Sequence, residues 1–247
     1  MSSYTPAVSV MPTRQAVMAQ ARDENFPVAL WLLGPRIRRN LLAIYGFARL
    51  VDDIGDEVEG DRLALLDQLG RELDAPQHPV MRKLAATVRE CGLPREPFLR
   101  LIEANRRDQV MTRYESLDDL LDYCRLSAAP VGELVLHVFG AATRERIELS
   151  DRICAALQVI EHLQDVEEDR ARGRLYVGQF AGPAEARSLL EEGAPLVGLL
   201  HGRARLAVAG FLAGGRVALD AIETGAAAEG GGRRRFAAAY LKAVVGR

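Results

Sequence analysis

Cysteine is scarce in this chain. The three thiols, Cys91, Cys124 and Cys154, are odd in number and far apart. They have neither the short paired spacing of a zinc site nor the even count of a disulfide framework, so a reducing cytosol is the expected compartment. No run of about 18 apolar residues occurs, and none is expected to span a membrane. The opening MSSYTPAVSVMPTRQAV lacks the apolar stretch of a signal peptide. Neither sign of charge dominates: 32 Lys and Arg stand against 34 Asp and Glu, a net charge of −2, which gives nucleic acid no foothold. There is no glycine-rich phosphate loop, no nicotinamide-binding fingerprint and no strand-like alternation. There is no internal repeat of the roughly 20 to 50 residues that would mark a solenoid. No Glu-x-x-His pair is present, which argues against a di-iron carboxylate bundle.

What is there is helical. Apolar residues make up 49% of the chain, enough for one large domain with a sizeable core, and aromatics are only 6%. The expected fold class is all-α, with long helices around a central cavity in one domain over residues 23–247, after a loose segment over 1–22. Gly34-Pro35 breaks the apolar stretch Phe26–Leu33, and Arg36, Arg38 and Arg39 open the first long helix as a solvated start. Helices are expected over Gly60–Gly70, His78–Cys91, Pro97–Thr112 and Leu117–Leu126. Ser127-Ala128-Ala129-Pro130-Val131-Gly132 then interrupts the pattern, since a proline removes a backbone hydrogen bond. Small residues at such a break either leave room for a ligand or let helices pack closely. Ser150-Asp151 can cap the helix that follows. A run from Ala194 to about Ile222, dented by Gly214-Gly215, and a last helix over Arg234–Val245 complete the chain. Arg233, Arg234 and Arg235 read as a helix start on the surface, with peripheral contact to an anionic membrane as the alternative.

Two acidic stretches carry the chemistry. In LLAIYGFARLVDDIGDE, Leu41–Glu57, about 100° per residue places Tyr45, Arg49, Asp52 and Asp56 on one helix face, with Asp53 to the side. In QVIEHLQDVEEDRARGRLY, Gln158–Tyr176, the same count groups Gln158, Glu161, His162, Asp165, Asp169 and Arg172. Carboxylates four apart repel, and placing them beside apolar residues adds a desolvation cost unless a cation compensates. Two helices with matching pairs can face each other across a cavity suited to hard divalent ions. Magnesium takes oxygen ligands, keeps waters and shares substrate phosphates; Arg49, Arg172 and Arg174 could contact phosphate directly. Solvated acidic helix ends are the plain alternative.

These residues resemble a known family. Asp52-Asp53-Ile54-Gly55-Asp56 with Asp165-Val166-Glu167-Glu168-Asp169 is similar to the paired aspartate motifs of the squalene/phytoene synthase family. The likeness extends over ENFPVALWLLGPRIRRNLLAIYGFARLVDDIGDE (Glu24–Glu57) and LIEANRRDQVMTRYESLDDLLDYCRLSAAPVG (Leu101–Gly132), and it weakens after Tyr176. The ENFPVA opening resembles the hydroxysqualene synthase branch. The resemblance implies Mg2+ held by Asp52, Asp56, Asp165 and Asp169, and Glu161, a carboxylate at a position beside that set, is the further candidate ligand. It implies a catalytic set of Asp52, Asp56, Asp165, Asp169, Tyr45 and Tyr123. It places Phe26, Arg49, Gly132, Gln158, Gln164, Arg174 and Tyr176 against an isoprenyl diphosphate. The expected reaction ionises presqualene diphosphate and captures the cation with water, and pathway enzymes are the expected partners. Head-to-head coupling of farnesyl or geranylgeranyl diphosphate is the runner-up. A non-catalytic helical lipid-binding or assembly subunit is the reading from another class. Three features depart from the family: Ala129 stands where Asn usually precedes the proline, Glu161 stands where Asn is common, and the loop after Tyr176 is short.

Overall fold

The structure, a computed structural model, describes residues 10–19, 33–111, 113–171, 177 and 180–225, and for 19 and 168–170 the backbone alone. The chain is all-α, with no extended strand among the described residues. None of their helices is long and apolar enough to cross a membrane. The expected helix over Arg234–Val245, with Arg233 before it, lies outside the described residues. The helices gather into two compact units, Met1–Val110 and Met111–Arg247.

The first unit holds α1 (Arg14–Ala19), α2 (Gly34–Asp56), α3 (Arg62–Glu72), α4 (Pro79–Cys91) and α5 (Glu96–Asp108). α2 is its spine, and α1, α3, α4 and α5 all pack on it. Pro35 sits in the first turn of α2, where a missing N–H costs nothing. Leu41, Ile44, Phe47, Leu50, Val51 and Ile54 form its buried stripe, each large side chain contributing about 1.5–3 kcal/mol of burial. Phe47 meets Phe98 of α5 edge to face, with ring centroids 5.1 Å apart. The arginines that open α2 are not simply solvated. Arg36 Nε and Arg39 Nη2 donate to Glu90 of α4 at 2.5 and 2.7 Å, which holds the Glu90 carboxyl down at about 2.

The second unit holds α6 (Leu117–Ser127), α7 (Ala129–Val138), α8 (Arg144–Gln164), α9 (Val166–Ala171), α10 (Pro183–Gly193), α11 (Leu196–Leu199) and α12 (Gly202–Thr224). Its spine is α8, against which α6, α7, α10 and α12 pack. The cap of α8 is Thr143, whose hydroxyl accepts from Arg146 N at 3.4 Å. Ser150, expected to cap it, is buried within the helix because the polar run from Arg144 already supplies the first turns. Pro130 stands in the first turn of α7, so the interruption ends one helix and opens the next. The run expected from Ala194 divides into α11 and α12, because Leu200 is extended (φ −101, ψ 156). Gly214-Gly215 does not dent α12. A Cβ on Gly215 would lie 3.0 Å from Leu157 Cδ2 and 3.1 Å from Leu190 Cδ2, so the glycine lets α12 approach α8 and α10.

Candidate active site

The first acidic stretch forms the C-terminal end of α2, and Asp56 is its last helical residue. The helical phase separates its carboxylates: Asp52 and Asp56 are exposed, whereas Asp53 is buried. Arg49, half-buried one turn back, is tied to its own helix, with Nε 2.7 Å from Asp53 Oδ1 and Nη2 2.7 Å from Glu57 Oε1. A phosphate would therefore have to displace a carboxylate to reach it. Tyr45 is half-buried on the same helix. The end of α2 is fastened by α5 and α3. Asn105 Nδ2 donates to Asp52 Oδ1 at 3.1 Å, Gln109 Nε2 donates to Gly55 O at 3.1 Å, and Arg62 Nη2 donates to Asp56 O at 3.1 Å. Gly55 allows this close approach, because a Cβ there would lie 2.0 Å from Asn105 Oδ1.

Electrostatically this end is under load. The C-terminal end of a helix carries partial negative charge, and four carboxylates with no base in the last turn add to it. The Asp52 carboxyl is pushed up to about 7, chiefly by loss of hydration and also by Asp56 and Asp53, against the pull of Asn105 and Arg49. Water still reaches the exposed side chain and screens part of that push.

The second acidic stretch is not one helix. α8 ends at Gln164, Asp165 caps it with φ −100 and ψ 12, and α9 begins at Val166. Asp165 and Asp169 thus keep their sequence spacing but lie on either side of a bend. Glu161, Gln164 and Asp165 are exposed and Gln158 is half-buried. The side chain of Asp169 is outside the description, as are Phe26, Arg172, Arg174 and Tyr176. His162, expected on this polar face, is turned into the core, where burial lowers its pKa to about 4. Gln158 Nε2 lies 3.4 Å from Glu161 Oε2, to which it donates, and 3.3 Å from His162 Nε2.

Tyr123, half-buried on α6, stacks obliquely on buried Tyr114 with centroids 5.3 Å apart. Gly132 stands in a close helix contact: a Cβ there would lie 2.4 Å from Ser150 Oγ and 2.6 Å from Cys154 Sγ. Of the two readings of that small-residue break, close packing is the one this geometry supports. A separate cavity of about 460 Å³ in the first unit, floored by Leu42, Ala43 and Gly46 and rimmed by Arg38, Arg39 and Lys83, includes none of the expected site residues.

Among the described residues no three acidic, imidazole or thiolate groups converge to hold a metal by protein ligands alone. The exposed carboxylates of Asp52 and Asp56 in the first unit, and those of Glu161 and Asp165 in the second, are each hard oxygen donors of the kind magnesium takes beside water and phosphate.

Asn105 is the residue the sequence reading missed. Its signal was present: Phe98, Leu101, Ile102 and Asn105 follow the buried spacing of α5, and a polar group in that stripe needs a partner.

The squalene/phytoene synthase family profile matches residues 19–179. A hydroxysqualene synthase of Rhodopseudomonas palustris is 43% identical over 162 residues, 63% of this chain and 55% of the relative. One from Sinorhizobium fredii is 41% identical over 186 residues, 71% of this chain and 62% of the relative. A presqualene diphosphate synthase of the same organism is 34% identical over 164 residues, 64% of this chain and 59% of the relative. The chain thus spans only a little over half the length of these relatives. The crystal structure of squalene synthase HpnC from Alicyclobacillus acidocaldarius matches with a TM-score of 0.78 and 38% identity, over 85% of this chain and 91% of that one. A dehydrosqualene synthase structure shares the fold, with a TM-score of 0.80 at 21% identity, over 93% of this chain and 94% of that one.

Proposed function

The chain belongs to the squalene/phytoene synthase family, and on that premise we propose that it ionises presqualene diphosphate and captures the carbocation with water, giving hydroxysqualene and diphosphate. The carrying observation is the 41–43% identity to hydroxysqualene synthases, beside the family match over residues 19–179, which hold both acidic clusters. In this reading Asp52 and Asp56, with Glu161, Asp165 and Asp169, hold Mg2+ together with the diphosphate oxygens. When bound, that ion supplies neutralisation of the charge that develops on the leaving diphosphate.

The protein's own residues do the rest. The Asn105 amide and the Gln109 and Arg62 side chains fix the end of α2, so Asp52 and Asp56 are presented outward without rearrangement. Arg49 can exchange its exposed partner Glu57 for a phosphate oxygen, since an ion pair open to water is worth little, while it keeps buried Asp53. Tyr45 and Tyr123 offer aromatic faces to a cation. Breaking the carbon–oxygen bond to diphosphate leaves the carbocation. Water supplies the new carbon–oxygen bond and loses a proton, so the products are the alcohol and diphosphate.

The test is incubation of the full chain with presqualene diphosphate and, separately, farnesyl diphosphate, with and without Mg2+, in oxygen-18 water. Labelled hydroxysqualene from presqualene diphosphate supports the proposal. Consumption of farnesyl diphosphate with accumulation of presqualene diphosphate replaces it by head-to-head coupling, the reaction class of the 34% identical relative. No diphosphate release from either substrate leaves a non-catalytic lipid-binding role.

A further inference from the structure

Asp52 is exposed, yet it is not free to rotate. Asn105 stands opposite it on α5 and is only 8% exposed. One amide N–H of Asn105 goes to Asp52 Oδ1 at 3.1 Å, and Nδ2 lies 3.5 Å from the carbonyl of Leu101, one turn back on its own helix. The amide oxygen faces Gly55 so closely that a methyl group there would overlap it. Flipping the amide would set its oxygen against the Asp52 carboxylate, acceptor against acceptor, so the orientation is fixed by chemistry as well as by packing. Gln109 reinforces it, with Nε2 bonded both to Gly55 O at 3.1 Å and to Asn105 O at 3.0 Å. Like-charged Asp53 and Asp56 would otherwise drive the Asp52 side chain toward open water.

We propose that Asn105 is a positioning residue: its amide occupies one oxygen of Asp52 and holds the carboxylate so that the other oxygen meets the metal–diphosphate. The inference rests on Asp52 serving as a metal ligand in the function proposed above. It makes Asp52 a one-oxygen ligand, which suits an ion that needs near-octahedral geometry and shares its remaining sites with water and phosphate. Hydrogen-bonded partners of metal ligands carry much of a site's affinity, because they orient the ligand before the ion arrives.

The experiment is a thermal-shift titration of the full chain with magnesium chloride at fixed inorganic diphosphate. It compares wild type, Asn105→Leu, Asn105→Ala, Asp52→Asn and the Asp52→Asn/Asn105→Leu double variant. The half-saturating magnesium concentration is the readout, and the melting temperature without ligand is recorded beside it. Loss of the amide should raise the half-saturating concentration by about tenfold in both Asn105 variants. In the Asp52→Asn background, Asn105→Leu should add nothing, since the group it positions is gone. If the Asn105 variants lower only the metal-free melting temperature while Asp52→Asn still weakens magnesium dependence, Asn105 is structural and the inference fails. If the effects of Asp52→Asn and Asn105→Leu add, Asn105 does not act through Asp52, and the inference also fails. If Asp52→Asn itself leaves magnesium dependence unchanged, the assignment of Asp52 as a ligand fails, and this inference falls with it.

Discussion

Gly55→Ala isolates the clamp on α2 without touching a titratable group. An alanine here improves helix propensity, which by itself stabilises by about 0.5–1 kcal/mol. The new Cβ would lie 2.0 Å from Asn105 Oδ1 and 3.0 Å from Asn105 Cγ, so the amide must move by more than an ångström-scale adjustment of a free chain end. Asn105 is buried and its amide is bonded to Asp52, so it has nowhere easy to go. Overpacking of this kind costs about 1–3 kcal/mol. The bond to Asp52, partly screened by water, adds about 1 kcal/mol when broken. The net loss is about 1–3 kcal/mol, a fall in melting temperature of about 2 to 6 °C for a chain of this size. Differential scanning calorimetry checks it, with Gly198→Ala as the control: nothing lies within 4 Å of a Cβ there, so that variant should melt at or above wild type. Asn105→Ala should relieve the overlap, making the two substitutions non-additive. A Gly55→Ala protein that melts at or above wild type would refute the reasoning.

Asp56→Asn should leave the metal-free melting temperature unchanged or raise it, because it removes charge from a helix C-terminus, yet nearly abolish turnover of presqualene diphosphate; a large loss of stability would instead make Asp56 a structural acceptor. Inorganic diphosphate should raise the melting temperature much more with magnesium than without, and equal rises count against a shared site. His162 titrates near 4 when folded and near 6.5 when unfolded, so the unfolded chain takes up the proton first as pH falls. Stability should therefore drop from about pH 6.5 down to about pH 4, by at most about 3 kcal/mol at 1.36 kcal/mol per pKa unit. Because the raised Asp52 carboxyl acts in the opposite sense, its contribution being lost as pH rises toward 7, the measurement is made in Asp52→Asn, and His162→Leu should flatten the slope.

Much of this was legible because helical periodicity is a local property. The phase that set Asp53 to the side of Asp52 and Asp56 is the phase that buries it. The errors arose where a second segment decides the outcome. His162 shares the angular sector of Gln158 and Asp165, but α8 is packed from several sides, so its polar face is narrower than a two-sided wheel implies. Gly132 and Gly215 look like breaks in isolation and prove to be helix contacts, because the residues they accommodate, Ser150 and Cys154 or Leu157 and Leu190, are distant in sequence or lie on another helix. Asn105 lies 53 residues from Asp52, and only the buried stripe of α5 hinted that its amide needed a partner.

The placement of the acids has a consequence for how the protein binds. Stability alone would put acids at helix N-termini and bases at C-termini. α2 does the reverse, with Asp52, Asp53, Asp56 and Glu57 at its C-terminal end and no base in its last turn. α8 likewise ends in Glu161 and Asp165, and the one basic side chain in its last turn, His162, is held neutral by burial. Arg49 offsets part of the load on α2, with its ion pairs to Asp53 and Glu57, while Asp52 and Asp56 remain exposed to water. On the function proposed above, the charge that Arg49 and Asn105 do not offset is relieved when cations arrive. In the proposed function, cations alone find no three converging ligands among the described residues, and diphosphate alone would meet repulsion. Each therefore lowers the cost of binding the other, and that reciprocity must be equal in both directions. Magnesium should tighten diphosphate by the same factor by which diphosphate tightens magnesium, and Asp56→Asn should shrink both factors together.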